Sequence, residues 1–199
     1  MKIKILKKSD DEIEFEVTGR TPAFANALRR TMMVKVPVLA IEDVIFTAND
    51  SPLFDEVIAH RLGLIPLKFV PKTFNRRDEC SCGGEGCINC QVVFVLDKTG
   101  PCTVYSGDLK STNPEVKPLY DNIPITKLGE NQKLKLEAVA IMGTGKEHAK
   151  WKAANAFYQY EGDKFKFTVE TVSGLSPKDI VIQATEILES EAKELKKAL

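Results

Sequence analysis

The chain has 199 residues, 43% of them hydrophobic, and its 28 basic and 28 acidic side chains cancel to a formal net charge of zero. That length can bury one large core or two smaller ones, and a chain without net charge creates no global field to draw in nucleic acid or an anionic membrane. No apolar run approaches the ~20 residues of a membrane span, and the opening Met-Lys-Ile-Lys-Ile-Leu-Lys-Lys lacks the unbroken apolar core of a signal peptide. A cytoplasmic chain with no membrane partner is expected.

Residues 2–18 read as a β-hairpin, because Ile3 and Ile5 alternate with lysines, Ile13, Phe15 and Val17 alternate with acids, and Ser9-Asp10-Asp11-Glu12 makes a polar turn between them. Thr21-Pro22 is a helix start, the threonine hydroxyl capping and the proline occupying a position whose N–H is not needed. Phe24, Ala27, Leu28, Thr31 and Met32 then recur at three- and four-residue steps, with Asn26, Arg29 and Arg30 on the other side and Pro37 as the stop. Taken alone, this is an amphipathic core helix. Val38 to Thr47 reads as a largely buried strand ended by a turn at Asn49-Asp50. Ser51-Pro52 repeats the cap-plus-proline signal and predicts a second helix, with Leu53, Phe54, Val57, Ile58, Arg61 and Leu62 at helical spacing and Gly63 at its end.

A polar, glycine-rich loop follows from Pro71 to Gly86, then a strand over 91–97, short strands and turns over 98–130, and a strand over 134–142. Gly143 to Trp151 is a distinctive loop whose Gly145-Lys146 departs from a phosphate-binding loop, with Ala140 at the first glycine position and Glu147 where a Ser or Thr belongs. Strands are expected over 157–160 and 165–172, joined by Glu161-Gly162-Asp163-Lys164. Ser176-Pro177 opens a long final helix with Val181, Ala184, Leu188, Ala192, Leu195 and Leu199 on one face, which either closes over its own sheet or meets a partner.

Four of the five cysteines fall within 80–90, as Cys80-Ser-Cys82-Gly-Gly-Glu-Gly-Cys87-Ile-Asn-Cys90. Four thiolates so close on a glycine-bearing loop fit a tetrahedral Zn²⁺ whose ligands are all local. With four protein ligands no coordination position stays open, so the predicted role is structural. Iron–sulfur motifs use four cysteines at other spacings, and bare surface thiols would invite oxidation. Cys102 reads as a small apolar strand residue.

No catalytic constellation emerges. His60 lies off the apolar stripe of its helix, and the Glu147-His148 pair has no serine or cysteine nucleophile beside it. A free-standing zinc-bearing nucleic-acid binder is the other rival, opposed by the zero net charge and the lack of a basic-aromatic stripe.

Asn26-Ala-Leu-Arg-Arg-Thr31, Asp55-Glu-Val-Ile-Ala-His-Arg-Leu-Gly-Leu-Ile-Pro-Leu67, the four-cysteine loop and Gly145-Lys-Glu-His-Ala-Lys-Trp151 follow one another in an order that closely resembles the D-type subunit family of archaeal DNA-directed RNA polymerase. That family is similar to the third-largest subunit of eukaryotic RNA polymerase II and to the amino-terminal domain of the bacterial α subunit. The resemblance implies an α+β fold in which both chain ends, about 1–45 and 157–199, form a dimerisation domain, with a mostly-β domain over about 46–156 inserted. It further implies a non-catalytic assembly platform that pairs with subunit L, is joined by small subunits N and P, and carries the large catalytic subunits, so that DNA is met only through the complex. Phe24, Ala27, Leu28, Thr31 and Met32, with Val181, Ala184, Leu188 and Leu195, are expected at the dimer interface, and Arg29 and Arg30 at a large subunit. The eukaryotic cysteine loop is one residue shorter. Many archaeal relatives insert a ferredoxin-like domain where only Glu161–Lys164 stands here, so no iron–sulfur cluster is expected.

Overall fold

The alternation of aliphatic and charged residues at the start of the chain folds as expected in the computed structural model, which describes residues 1–199. In chain order the strands and helices are β1 (Lys2–Lys8), β2 (Glu12–Thr18), α1 (Pro22–Val34), β3 (Val38–Asn49), α2 (Asp55–Gly63), β4 (Leu67–Lys68), β5 (Gln91–Thr99), β6 (Cys102–Tyr105), β7 (Lys110–Ser111), β8 (Lys117–Pro118), β9 (Pro124–Leu128), β10 (Lys133–Gly143), β11 (Ala154–Glu161), β12 (Lys164–Thr171) and α3 (Pro177–Ala198). The architecture is mixed α+β, in two compact units: Met1–Val38 with Thr144–Leu199, and Leu39–Gly143.

The unit built from the two chain ends is a four-stranded sheet in the order β1-β2-β12-β11. Because paired residues in antiparallel strands share a face, the register sets Ile13, Phe15 and Val17 beside Val169, Phe167 and Phe165 in one apolar layer. All six are buried, and the rings of Phe15 and Phe167 stack with centroids 5.0 Å apart. Helices α1 and α3 pack on each other, α1 also on β11 and α3 on β12 and β2. Thr21 Oγ1 accepts the Phe24 N–H at 3.3 Å, and Ser176 Oγ accepts the Asp179 N–H at 3.2 Å, so both predicted caps form. Gly162, at φ +59°, takes the left-handed turn that closes β11 onto β12.

In the middle unit the main sheet has the order β3-β10-β5-β7. Strands β5 and β10 pair from Lys133 opposite Thr99 to Ile141 opposite Gln91, and Val92, Phe94 and Leu96 meet Ala140, Ala138 and Leu136 on the buried face. Two small strand pairs, β4 with β8 and β6 with β9, complete it.

Two expectations change here. β3 is buried only from Val38 to Ile41, and Ile45 further along is 60% exposed. α2 begins at Asp55, because Ser51-Pro52 belongs to a turn held by Asn49: its Oδ1 accepts the Ser51 N–H at 3.1 Å, and its Nδ2 donates to the Leu53 carbonyl and to Asp55 Oδ1. Of the predicted α2 stripe, Ile58 and Leu62 are fully buried, Phe54 is exposed, and Arg61 Nη1 donates to the Ile125 carbonyl at 2.7 Å.

Candidate metal centre and interface helices

The cysteine loop is anchored where it enters the sheet. Cys90 is fully buried and stands directly before β5, the Asn75 N–H donates to the Asn89 carbonyl across the loop mouth at 2.8 Å, and Arg77 Nη2 donates to Gln91 Oε1 at 2.9 Å. Between the cysteine pairs Gly86 sits at φ +100°, with Gln91 Oε1 in the space that a Cβ would take, so a larger residue would displace the Gln91 side chain.

These turns bring all four sulfurs within 4.8 Å of one another. The Cys80–Cys87 and Cys82–Cys90 separations are 3.6 Å and Cys87–Cys90 is 3.8 Å. Such spacings are too long for disulfides, and the cysteines are free. They match the ~3.8 Å edge of a tetrahedron drawn with ~2.3 Å metal–sulfur bonds. The Cys87 N–H donates to Cys90 Sγ at 3.3 Å, a bond that favours thiolate. The Gly86 backbone N–H, then the Cys80 thiol and the Gly84 N–H, bring the Cys82 thiol down to about 6, whereas burial pushes Cys90 up to about 12. A cation between the sulfurs overrides that burial cost and draws every thiol towards thiolate. The site can therefore hold one metal ion through four sulfurs.

The interface candidates divide by burial. On α1, Leu28, Thr31 and Met32 are buried within their own unit, while Phe24 is half-buried and Ala27 exposed. Ala25, absent from the predicted face, is fully buried instead. On α3, Ala184 is buried, Val181 and Leu188 are half-buried, and Leu195 is 63% exposed. The inward-facing residues are Pro177, Ile180, Gln183 and Ala184, a stripe that shares Ala184 with the predicted one and is set by the packing of α3 on α1, β12 and β2. From Glu189 to Leu199 every residue is exposed.

Arg30 is exposed and Arg29 half-buried. The Arg29 guanidinium lies along its helix, donating to Asn26 Oδ1 at 3.0 Å and to Met33 Sδ at 3.4 Å. The loop after β10 meets the end of the same helix, a contact that no local signal announced. The Lys146 N–H donates to the Val34 carbonyl at 3.0 Å. Neither member of the Glu147-His148 pair faces the other's chemistry: Glu147 Oε2 accepts from Thr144 N–H and hydroxyl, and His148 Nδ1 accepts the Lys150 N–H. No helix is long and apolar enough to cross a membrane.

The model of the RNA polymerase Rpb3/RpoA insert domain matches residues 40–159. A protein of Thermoplasma volcanium named DNA-directed RNA polymerase subunit Rpo3 is 48% identical over 174 residues, which cover 80% of this chain and 64% of that relative, just under two thirds of its length. Proteins of the same name from Archaeoglobus fulgidus and Methanocaldococcus jannaschii are 36% and 43% identical, covering 99% and 96% of this chain and 97% and 92% of their own lengths. The Archaeoglobus alignment runs over 256 positions, more than the 199 residues present here, so that relative carries additional sequence within the matched span. The Methanocaldococcus alignment, at 192 positions, shows that chains of about this length occur among these proteins. Matched by the domain model across its middle and aligned with such relatives along nearly its whole length, the chain belongs to the family of archaeal RNA polymerase Rpo3, or D-type, subunits.

Proposed function

We propose that the chain is a non-catalytic assembly-platform subunit of DNA-directed RNA polymerase. The unit formed by its two ends pairs with the smaller subunit L, small subunits N and P join that pair, and Arg29 and Arg30 dock a large catalytic subunit. The middle unit is the inserted domain, and its four cysteines hold a structural Zn²⁺ with no open coordination position.

The carrying observation is the second half of α3. Its residues from Glu189 to Leu199 touch no core of their own, yet Leu188, Ala192, Leu195 and Leu199 continue one apolar stripe along it. A helical segment of that length is marginal in water by itself, and a second chain laid along the stripe, reaching Phe24 and Ala27 on α1, supplies the missing burial. Leu28, Thr31, Met32 and Ala184 support that surface from beneath.

Co-expression with a subunit L chain followed by size-exclusion chromatography tests the pairing. A one-to-one complex is expected, and a chain that stays a well-behaved monomer in the presence of L overturns the reading. Elemental analysis should find about one zinc per chain, the stoichiometry of a four-cysteine site. Iron in its place would overturn the metal assignment.

A further inference from the structure

Arg29 and Met33 are neighbours one turn apart on α1, and so are Arg30 and Val34. The loop after β10 closes over the carbonyls of the second member of each pair. Gly145 lies so close to the Met33 carbonyl oxygen that a Cβ would stand 2.5 Å from it, and the Lys146 N–H bonds the Val34 carbonyl at 3.0 Å. Each arginine thus sits about 6 Å along the axis, four residues, before a carbonyl that the loop covers.

The loop is held in shape. Glu147 bonds back to Thr144 at 2.7 Å, His148 caps the turn at Lys150 at 3.1 Å, and the Lys150 ammonium lies 4.4 Å from the centroid of the buried Trp151 ring. Arg30 and Lys146 are exposed and have no ion pair in this chain. The Lys146 backbone is bonded at the C-terminal end of α1, the negative end of its dipole, where a cation is tolerated without a carboxylate of its own, and Arg30 lies one turn before that end.

We propose that Thr144–Trp151 and the last turns of α1 form one docking surface, on which Lys146 acts together with Arg29 and Arg30 to receive an acidic segment of a large polymerase subunit. This rests on the docking role proposed above for the two arginines. A protein segment suits the surface better than nucleic acid. Acidic groups stand on the same elements, Glu147 next to Lys146 in the loop and Glu191 paired with Lys35 just past α1, and the Trp151 ring is buried, with the His148 ring edge-on to it, where base stacking would need an open aromatic face.

The test uses the chain in complex with subunit L and measures its affinity for the large subunit at low and high salt. Lys146→Glu is expected to weaken binding roughly tenfold at low salt, as charge reversal at a complementary surface does, and Lys146→Ala less. Both differences shrink at high salt through screening, and the thermal midpoint of the heterodimer stays unchanged because the side chain is exposed. Binding lost with Arg29→Glu/Arg30→Glu and kept with Lys146→Glu overturns the composite surface while leaving the arginine docking intact. Full binding by both variants overturns the docking role itself, and this inference with it. Lys146-dependent binding of the heterodimer to duplex DNA would overturn the choice of an acidic protein segment.

Discussion

Gly145 approaches the carbonyl of Met33 more closely than any side-chain-bearing residue can, with 2.5 Å between that oxygen and a hypothetical Cβ. Two stretches more than a hundred positions apart are thereby locked together, and the closing hydrogen bond from Lys146 to Val34 follows directly. Gly145→Ala is expected to lower unfolding stability by about 1–3 kcal/mol, the usual cost of overpacking, and to speed amide exchange at Lys146. Denaturant titration and hydrogen exchange check both. An unchanged midpoint would show that the loop can move aside at little cost.

Removing the metal should loosen the cysteine loop first. Without a cation the four sulfurs lose the cross-link that ties the loop together, so a chelator is expected to raise amide exchange at Asn75 and Gly83 while the β5–β10 ladder stays protected. Cys90→Ser should abolish metal binding and lower the thermal midpoint, because that sulfur is buried at the head of β5. Cys102→Ser, outside the cluster, should leave the metal content as it was. Metal retained by Cys90→Ser at full stoichiometry would remove that sulfur from the ligand set.

Leu28 and Leu195 should behave in opposite ways. Leu28 is 3% exposed, and its replacement by alanine is expected to cost about 2–5 kcal/mol of the unit's own stability. Leu195→Glu changes a residue with no core contact, so the free chain should melt within about 0.5 kcal/mol of the parent while its pairing with subunit L falls at least tenfold. Melting of the free chain and titration with subunit L measure the two effects separately. Pairing unaffected by Leu195→Glu would move the interface off the end of α3.

A pH dependence follows from the outer face of the first sheet. Lys166 hydrogen-bonds Glu14 at 2.8 Å and holds its carboxyl below the ordinary value. A carboxylate lowered in the folded state adds stability above its unfolded pKa and loses it as pH falls through the folded one. Glu14→Gln is therefore expected to melt slightly earlier than the parent at pH 7 and to converge with it in acid. The pair is near the surface, so added salt should also shrink the difference. A gap that persists below the carboxylate range would mean that Glu14 acts through packing.

Local signals carried far into this fold. Thr21-Pro22 and Ser176-Pro177 are true helix starts because the stabilising bonds lie within three residues of the cap. The same logic misplaced the start of α2, where Asn49 holds Ser51 in a turn and the helix waits until Asp55. Cap-plus-proline pairs look alike in both settings, and the difference lies in a neighbour that competes for the hydroxyl.

The cysteine cluster and the first helix show where such reading ends. Cys80, Cys82, Cys87 and Cys90 lie within one loop, so their identity and spacing were enough to point to a four-sulfur cluster, and the sulfurs do gather within 4.8 Å. Helix periodicity likewise placed Phe24, Leu28 and Met32 on one side of α1. It was silent on which of them the chain keeps for itself, since that depends on where α3 and β11 come to rest, and the packing buries Leu28 and Met32 while leaving Phe24 partly open. The closure of Gly145 and Lys146 on the end of α1 is of the same kind. Bonds and periods within a few residues are written in the local sequence, whereas contacts between distant segments exist only once the sheet and both helices have packed.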